Sequence, residues 1–232
     1  MFVQADFSNV EMRVQSFETG DKVLQDIFAS GKKVHDENVK VMFGITPDDP
    51  MFDVCKRAAK TYIFGRGYGG GLRGIYERVT MQVPDLELSY EQFVQCDEEY
   101  RLAHPAYVKW HDKIIKQAIE NRYVKTAFGR VRYFLGDDQE IKRQALNTPI
   151  QGTAADVFNL AIIRLRKELK QNRLGILVGA VHDSIIVECD KADATEVAAL
   201  MKAAMEQTHS LWGMQVSFPV DIEIATDKRA LS

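Results

Sequence analysis

Phe2-Val3-Gln4-Ala5-Asp6-Phe7 is the stretch whose reading decides the fold. It is aromatic and β-branched, which predicts a strand, and that strand ends on one carboxylate. A carboxylate at a strand end is a rigidly held point charge, the kind of group a divalent cation needs. Strand ends also carry Asp for turns, so Asp6 alone decides little. A second stretch gives it meaning. Ile176-Leu177-Val178-Gly179-Ala180-Val181 and Ile185-Ile186-Val187-Glu188 read as two strands joined by the tight turn His182-Asp183-Ser184. A hairpin with its acid at the tip exposes that acid. The expectation is that Asp6 and Asp183 meet, and that the chain between them delivers a substrate.

Working outward from Asp6, Ser8 and Glu11 have capping-box spacing ahead of a helix that begins at Val10. Glu11 is thus open to two readings, a cap or a more specific role. Residues 20–33 are short and mixed. A helix over 34–43 stops at Gly44, and the next starts with Asp49 as N-cap and Pro50 at its first position. On that helix Lys56, Lys60 and Phe64 recur every four residues and share a face. Two cations and a ring on one stripe can hold an anion beside a flat group; a solvated lysine pair beside a core Phe explains the same spacing. Residues 65–71 hold five glycines, including a formal G-x-G-x-x-G. It ends a helix instead of following a strand, so a dinucleotide loop is rejected in favour of a hinge or close backbone approach.

Two further helices part near His104-Pro105. An arginine-rich hairpin flanks Phe128-Gly129. A helix begins at Asp137-Asp138, is interrupted at Pro149, and resumes from Thr153 to Lys170. Asp193 to Leu211 reads as a helix, and Val216 to Ala225 as the last strand.

Composition is that of a water-soluble globular protein: 232 residues, 46% hydrophobic and 27% charged, with net charge −3. No apolar run is long enough for a membrane span, and no secretory leader is read at the N-terminus. Three scattered cysteines give no zinc or disulfide pattern, so a reducing, cytoplasmic setting is expected, nucleoid-associated or in a host cell if the protein is viral. Charge is uneven. Residues 109–143 carry nine Lys/Arg against five Asp/Glu, and residues 183–232 carry four against nine. A basic middle can follow phosphates while an acidic end holds metal, although solvated helix faces give the same counts.

Four blocks, in order, resemble the signatures of family A DNA polymerases, the DNA polymerase I type. Asp6-Phe7-Ser8-Asn9-Val10-Glu11-Met12-Arg13 resembles the first. Lys60-x-x-x-Phe64-Gly65-x-x-Tyr68-Gly69 resembles the fingers helix, and Val181-His182-Asp183 the third signature. Asn147-x-Pro149-Ile150-Gln151-Gly152-Thr153-Ala154-Ala155-Asp156 is similar to a further block.

The resemblance implies an α+β right-hand fold: an antiparallel palm sheet with a helical fingers subdomain inserted and no thumb. Palm would comprise 1–30 and 145–232, and fingers 31–144. It implies a DNA-templated DNA polymerase, in replication or repair, that adds deoxynucleotides to a primer 3′-hydroxyl with two Mg²⁺ ions. Asp6, Asp183 and the Phe7 carbonyl would hold metal. Lys60 would neutralise the triphosphate and protonate the leaving pyrophosphate. His35 and Lys56 would touch the triphosphate, Phe64 would stack on the incoming nucleotide, and Tyr68 would sit at the insertion site. Glu11 would be the gate that excludes a ribose 2′-hydroxyl. Arg143, Asn147, Gln151 and His182 would contact primer–template DNA.

The pattern departs at Lys56, where Arg is usual, at Asn9 for Gln, and at Ser184 for Glu. His-Asp-Ser resembles the single-subunit RNA polymerases instead, whereas Glu11 and Phe64 point to DNA synthesis. The first strand starts near residue 1, so a thumb or exonuclease-type region is expected on another segment or polypeptide. A non-catalytic nucleotide- or DNA-binding module that keeps this fold is the alternative.

Overall fold

The computed structural model describes residues 1–227. Among them the elements run β1 (Phe2–Phe7), α1 (Val10–Thr19), α2 (Lys22–Ala29), α3 (Val34–Phe43), α4 (Phe52–Gly67), α5 (Leu72–Gln82), α6 (Tyr90–Ala103) and α7 (Pro105–Asn121). Then follow β2 (Tyr123–Lys125), β3 (Val131–Tyr133), α8 (Asp138–Asn172), β4 (Ile176–Val181), β5 (Ser184–Glu188), α9 (Ala194–Met205), β6 (His209–Leu211), β7 (Met214–Val216) and β8 (Val220–Ala225). No helix among the described residues is long and apolar enough to cross a membrane.

The chain forms two compact units. One joins Met1–Val14 to the described residues from Gln151 onward; the other is Gln15–Ile150. These borders differ from the 30/31 and 144/145 expected from the sequence. The difference at the first border has a physical cause. Residues 20–33 contain α2, whose N-cap Asp21 accepts from Leu24 N–H at 3.2 Å and pairs with His104 Nδ1 at 2.8 Å. That buried pair ties α2 to the helical unit.

The first unit is built on a four-stranded antiparallel sheet of order β4-β5-β1-β8. The pleat sends alternate residues of β1 to opposite faces. Val3, Ala5 and Phe7 are all but fully buried on one face, and Ile185 and Val187 of β5 stand opposite Ala5 and Val3 there. Helix α9 covers that face with Val197, Met201 and Met205. Ala154, Val157, Ala161, Leu165 and Leu169 form the buried stripe of α8, at helical spacing. Gln4 and Asp6 therefore point the other way.

The second unit is helical. Its core includes an aromatic group in which Tyr62 of α4 meets Phe93 and Tyr100 of α6 edge-on, with centroids 5.8 and 5.4 Å apart. Buried Asp97 accepts from the Tyr62 hydroxyl at 2.7 Å and pairs with Arg66 Nε at 3.1 Å. Strands β2 and β3 form the expected hairpin.

Five local expectations are corrected. Helix α4 starts at Phe52, not Pro50: the Asp49 side chain accepts from Met51 N–H, and the Asp49 carbonyl accepts from Phe52 N–H, closing a turn before the helix. The capping box at Ser8 does not form. Asn9 takes φ 55°, α1 begins at Val10, and the Ser8 hydroxyl donates to Asp221 instead. Pro149 does not break α8, which is continuous and capped by Asp137 through Gln139 and Glu140 N–H at 2.9 Å. Burial of Ala145, Leu146 and Ile150 around Pro149 offsets the lost helix bond. The helix expected to reach Leu211 ends at Met205; beyond it, His209–Leu211 form β6, and Trp212 and Gly213, both at positive φ, turn it back onto β7. The last strand accordingly starts at Val220, not Val216.

The glycine-rich segment is a close approach. A Cβ on Gly70 would lie 2.8 Å from the Gly65 carbonyl oxygen, and one on Gly69, at φ 72°, would lie 3.2 Å from Arg143 Cα.

Candidate active site

In the sheet unit, β1 and the β4–β5 turn bring Asp6 and Asp183 together as expected. Asp6 stands opposite Ser184 on one side and Asp221 on the other. Phe7 N–H donates to the Asp183 carbonyl at 3.2 Å, which pins the turn to the end of β1. His182 reaches φ 55° in that turn and is exposed. Ser184 donates its hydroxyl to the Val181 carbonyl at 3.1 Å, closing the turn from within.

A cleft of about 750 Å³ opens over this face. It is lined by Gln4, Asp6, Val181, His182, Asp183, Ser184, Asp221, Ile222 and Glu223. Burial, then the charge and hydrogen bond of Asp183, then the charge of Asp221 push the Asp6 carboxyl up to about 6. Asp6, Asp183 and Asp221 present hard oxygen donors and excess negative charge, a donor set suited to a hard divalent cation such as Mg²⁺. Phe7 itself is buried at the strand end.

Sequence reasoning missed Asp221. The alternation Val220-Asp221-Ile222-Glu223 puts two acids on one face, but only the register sets Asp221 opposite Asp6. It also missed Arg13, whose Nε donates to the Ser8 carbonyl at 2.9 Å. Burial lowers the Arg13 pKa and the charge of Asp221 opposes that. Asp221, Ser8 and Arg13 thus fix the first turn of α1, which carries half-buried Glu11.

In the helical unit, α3 and α4 pack together and bring His35, Lys56, Lys60 and Phe64 to one neighbourhood. The anchors of Tyr62 and Arg66 on Asp97 leave Lys60 and Phe64 exposed on the opposite side of α4. The His35 and Phe64 rings lie 6.4 Å apart, and Tyr68 stacks on Phe64 at 6.3 Å. Burial, then the ammonium groups of Lys60 and Lys56, push His35 down to about 4, so it is neutral at physiological pH. Lys56 is engaged with Asp36 at 2.5 Å. Helix α8 carries exposed Arg143, and Asn147, whose buried Oδ1 has no hydrogen-bond partner. Gln151 is half-buried in the sheet unit.

An antiparallel sheet that sets a strand-end carboxylate beside a second one at a hairpin tip is the arrangement of a polymerase-type palm. The chain belongs to DNA polymerase family A, whose sequence model matches residues 1–229. It is 34% identical over 239 residues to the thermostable DNA polymerase I of Thermus caldophilus, covering 99% of this chain. It is 30% identical over 231 residues to DNA polymerase I of Aquifex aeolicus, covering 98% of this chain. The chain spans 27% and 39% of those two relatives. A solved POL domain of Pol1 from M. smegmatis, in complex with DNA primer-template and dNTP, superposes with TM-score 0.83 at 25% identity. That match covers 95% of this chain and 38% of the other.

Proposed function

We propose that the chain is the palm-and-fingers catalytic portion of a DNA-templated DNA polymerase that extends a primer with deoxynucleotides by a two-metal mechanism. The observation that carries this is the pairing of Asp6 with Asp183 over the cleft, with Asp6 held near 6 by burial and by the neighbouring carboxylates. When bound there, Mg²⁺ supplies charge that activates the primer 3′-hydroxyl and stabilises the leaving pyrophosphate. Asp6 and Asp183 would hold it, with the Phe7 carbonyl as a further oxygen.

Lys60 opposes the triphosphate charge and donates a proton as pyrophosphate leaves. Neutral His35 offers a hydrogen bond to a phosphate oxygen without adding charge, and Lys56 adds a cation. Phe64 and Tyr68 supply the stacking surface for the incoming nucleotide. Glu11 excludes the ribose 2′-hydroxyl. Arg143, Asn147, Gln151 and His182 bind the primer–template, where contacts to backbone and minor groove test shape without reading sequence. The protein would act in the cytoplasm, with a thumb-bearing segment gripping the duplex.

One observation favours a second reading, a non-catalytic nucleotide-binding module: Ser184 bonds back to Val181 where the family pattern has a carboxylate. Mg²⁺-dependent primer extension by the full-length polypeptide separates the two. Extension that falls by roughly a thousandfold in Asp183→Ala supports the polymerase. Binding of dNTP to the complex with dideoxy-blocked primer–template, together with no extension of an unblocked primer by the wild type, supports the module.

A further inference from the structure

We infer that Asp36 acts as an internal competitor for the phosphates of the nucleotide, holding Lys56 when no nucleotide is bound and lowering nucleotide affinity. This rests on the reading of His35, Lys56 and Lys60 as the triphosphate site. Lys56 Nζ meets Asp36 Oδ1 at 2.5 Å, with the two side chains 26% and 22% exposed. The pair is therefore partly shielded from water, where a carboxylate acts on a neighbouring charge more strongly than at the surface. With His35 neutral, two ammonium groups less one carboxylate leave a single net positive charge beside the His35–Phe64 pair. An incoming triphosphate meets the two lysines together with a like charge already seated on one of them.

The residue type at position 56 suits this exchange. Lysine is a compact point charge with three rotatable donors, and it can leave a carboxylate for a phosphate. Arginine would grip Asp36 through a planar fork. Asp36 also lies in the first turn of α3, where a carboxylate favours the helix. Glu37 shares that turn but pairs with Lys32 at 3.5 Å, away from Lys56. It serves as the control for a general helix or charge effect.

Because Asp36 competes for Lys56 in the free protein and opposes the phosphates equally in the bound ground state and the transition state, it raises the KM for nucleotide and leaves kcat nearly unchanged. The test is calorimetric titration of the protein with inorganic tripolyphosphate, then with Mg²⁺-dATP, for the wild type, Asp36→Asn, Glu37→Gln and Lys60→Ala. Asp36→Asn is expected to bind both probes roughly threefold to fivefold tighter at low salt, with the gain shrinking at high salt. Glu37→Gln is expected to bind as the wild type does. Equal or weaker binding by Asp36→Asn overturns the inference, as does an equal gain in Glu37→Gln. Unchanged binding in Lys60→Ala overturns the triphosphate reading itself, and the inference with it. A melting curve on each variant confirms that α3 is intact.

Discussion

Asp6→Asn tests how the carboxylates of the cleft are balanced. Burial and the neighbouring Asp183 and Asp221 hold the Asp6 carboxyl at about 6 instead of 3.8. Each tenfold change in proton affinity is worth about 1.4 kcal/mol, so ionising Asp6 in the folded chain costs about 3 kcal/mol. Asp6 is only half-buried, and solvent screening reduces this to about 1–2 kcal/mol. The sign follows from proton uptake. The folded carboxyl binds its proton more tightly than the unfolded one. Its favourable contribution is therefore complete below 3.8, declines as pH rises through 6, and is absent above. At pH 7.5 without divalent metal, Asp6→Asn should be more stable than the wild type by about 1–2 kcal/mol, and near pH 4 the two should converge. Urea unfolding followed by Trp212, in a Trp110→Phe background, reads the sheet unit alone. Adding Mg²⁺ should stabilise the wild type and leave Asp6→Asn unmoved. An Asp6→Asn chain no more stable than the wild type at pH 7.5 would refute the crowding argument.

Other predictions follow from the same geometry. Gly70→Ala sets a Cβ 2.8 Å from the Gly65 carbonyl and should cost about 1–3 kcal/mol, whereas Gly67→Ala meets open space and should be tolerated; paired melting curves decide. Asp97→Ala leaves Arg66 and the Tyr62 hydroxyl without their buried acceptor and should cost about 3–5 kcal/mol by denaturant titration. The His35 ring, followed by NMR, should titrate near 4 in the free chain and shift upward when tripolyphosphate binds, since an anion favours the imidazolium.

Much of the sheet unit was legible because its signals are local. A β-branched run broken by His182-Asp183 can only be a hairpin with an acid at its tip, and β1 ends on Asp6 without ambiguity. Spacing alone also put Lys56, Lys60 and Phe64 on one face of α4. What failed depended on partners far along the chain. Ser8 satisfies capping-box spacing, yet Asp221, over two hundred residues away, takes its hydroxyl. Pro149 reads as a helix stop until the burial of its neighbours is known. The Trp212-Gly213 turn was visible as a residue-Gly pair but lay inside an apolar stretch that matched helical spacing. Asp221 and Asp36 matter only through register and packing, which no spacing rule supplies.

On the proposed function, Asp6 and Asp183 together seat the metal that serves nucleotidyl transfer. Titration with Mn²⁺ in place of Mg²⁺, read by electron paramagnetic resonance with primer–template and dNTP present, tests it most directly. Two bound ions per chain are expected in the wild type and fewer than two in Asp6→Ala and Asp183→Ala. Full occupancy retained in both variants would contradict it.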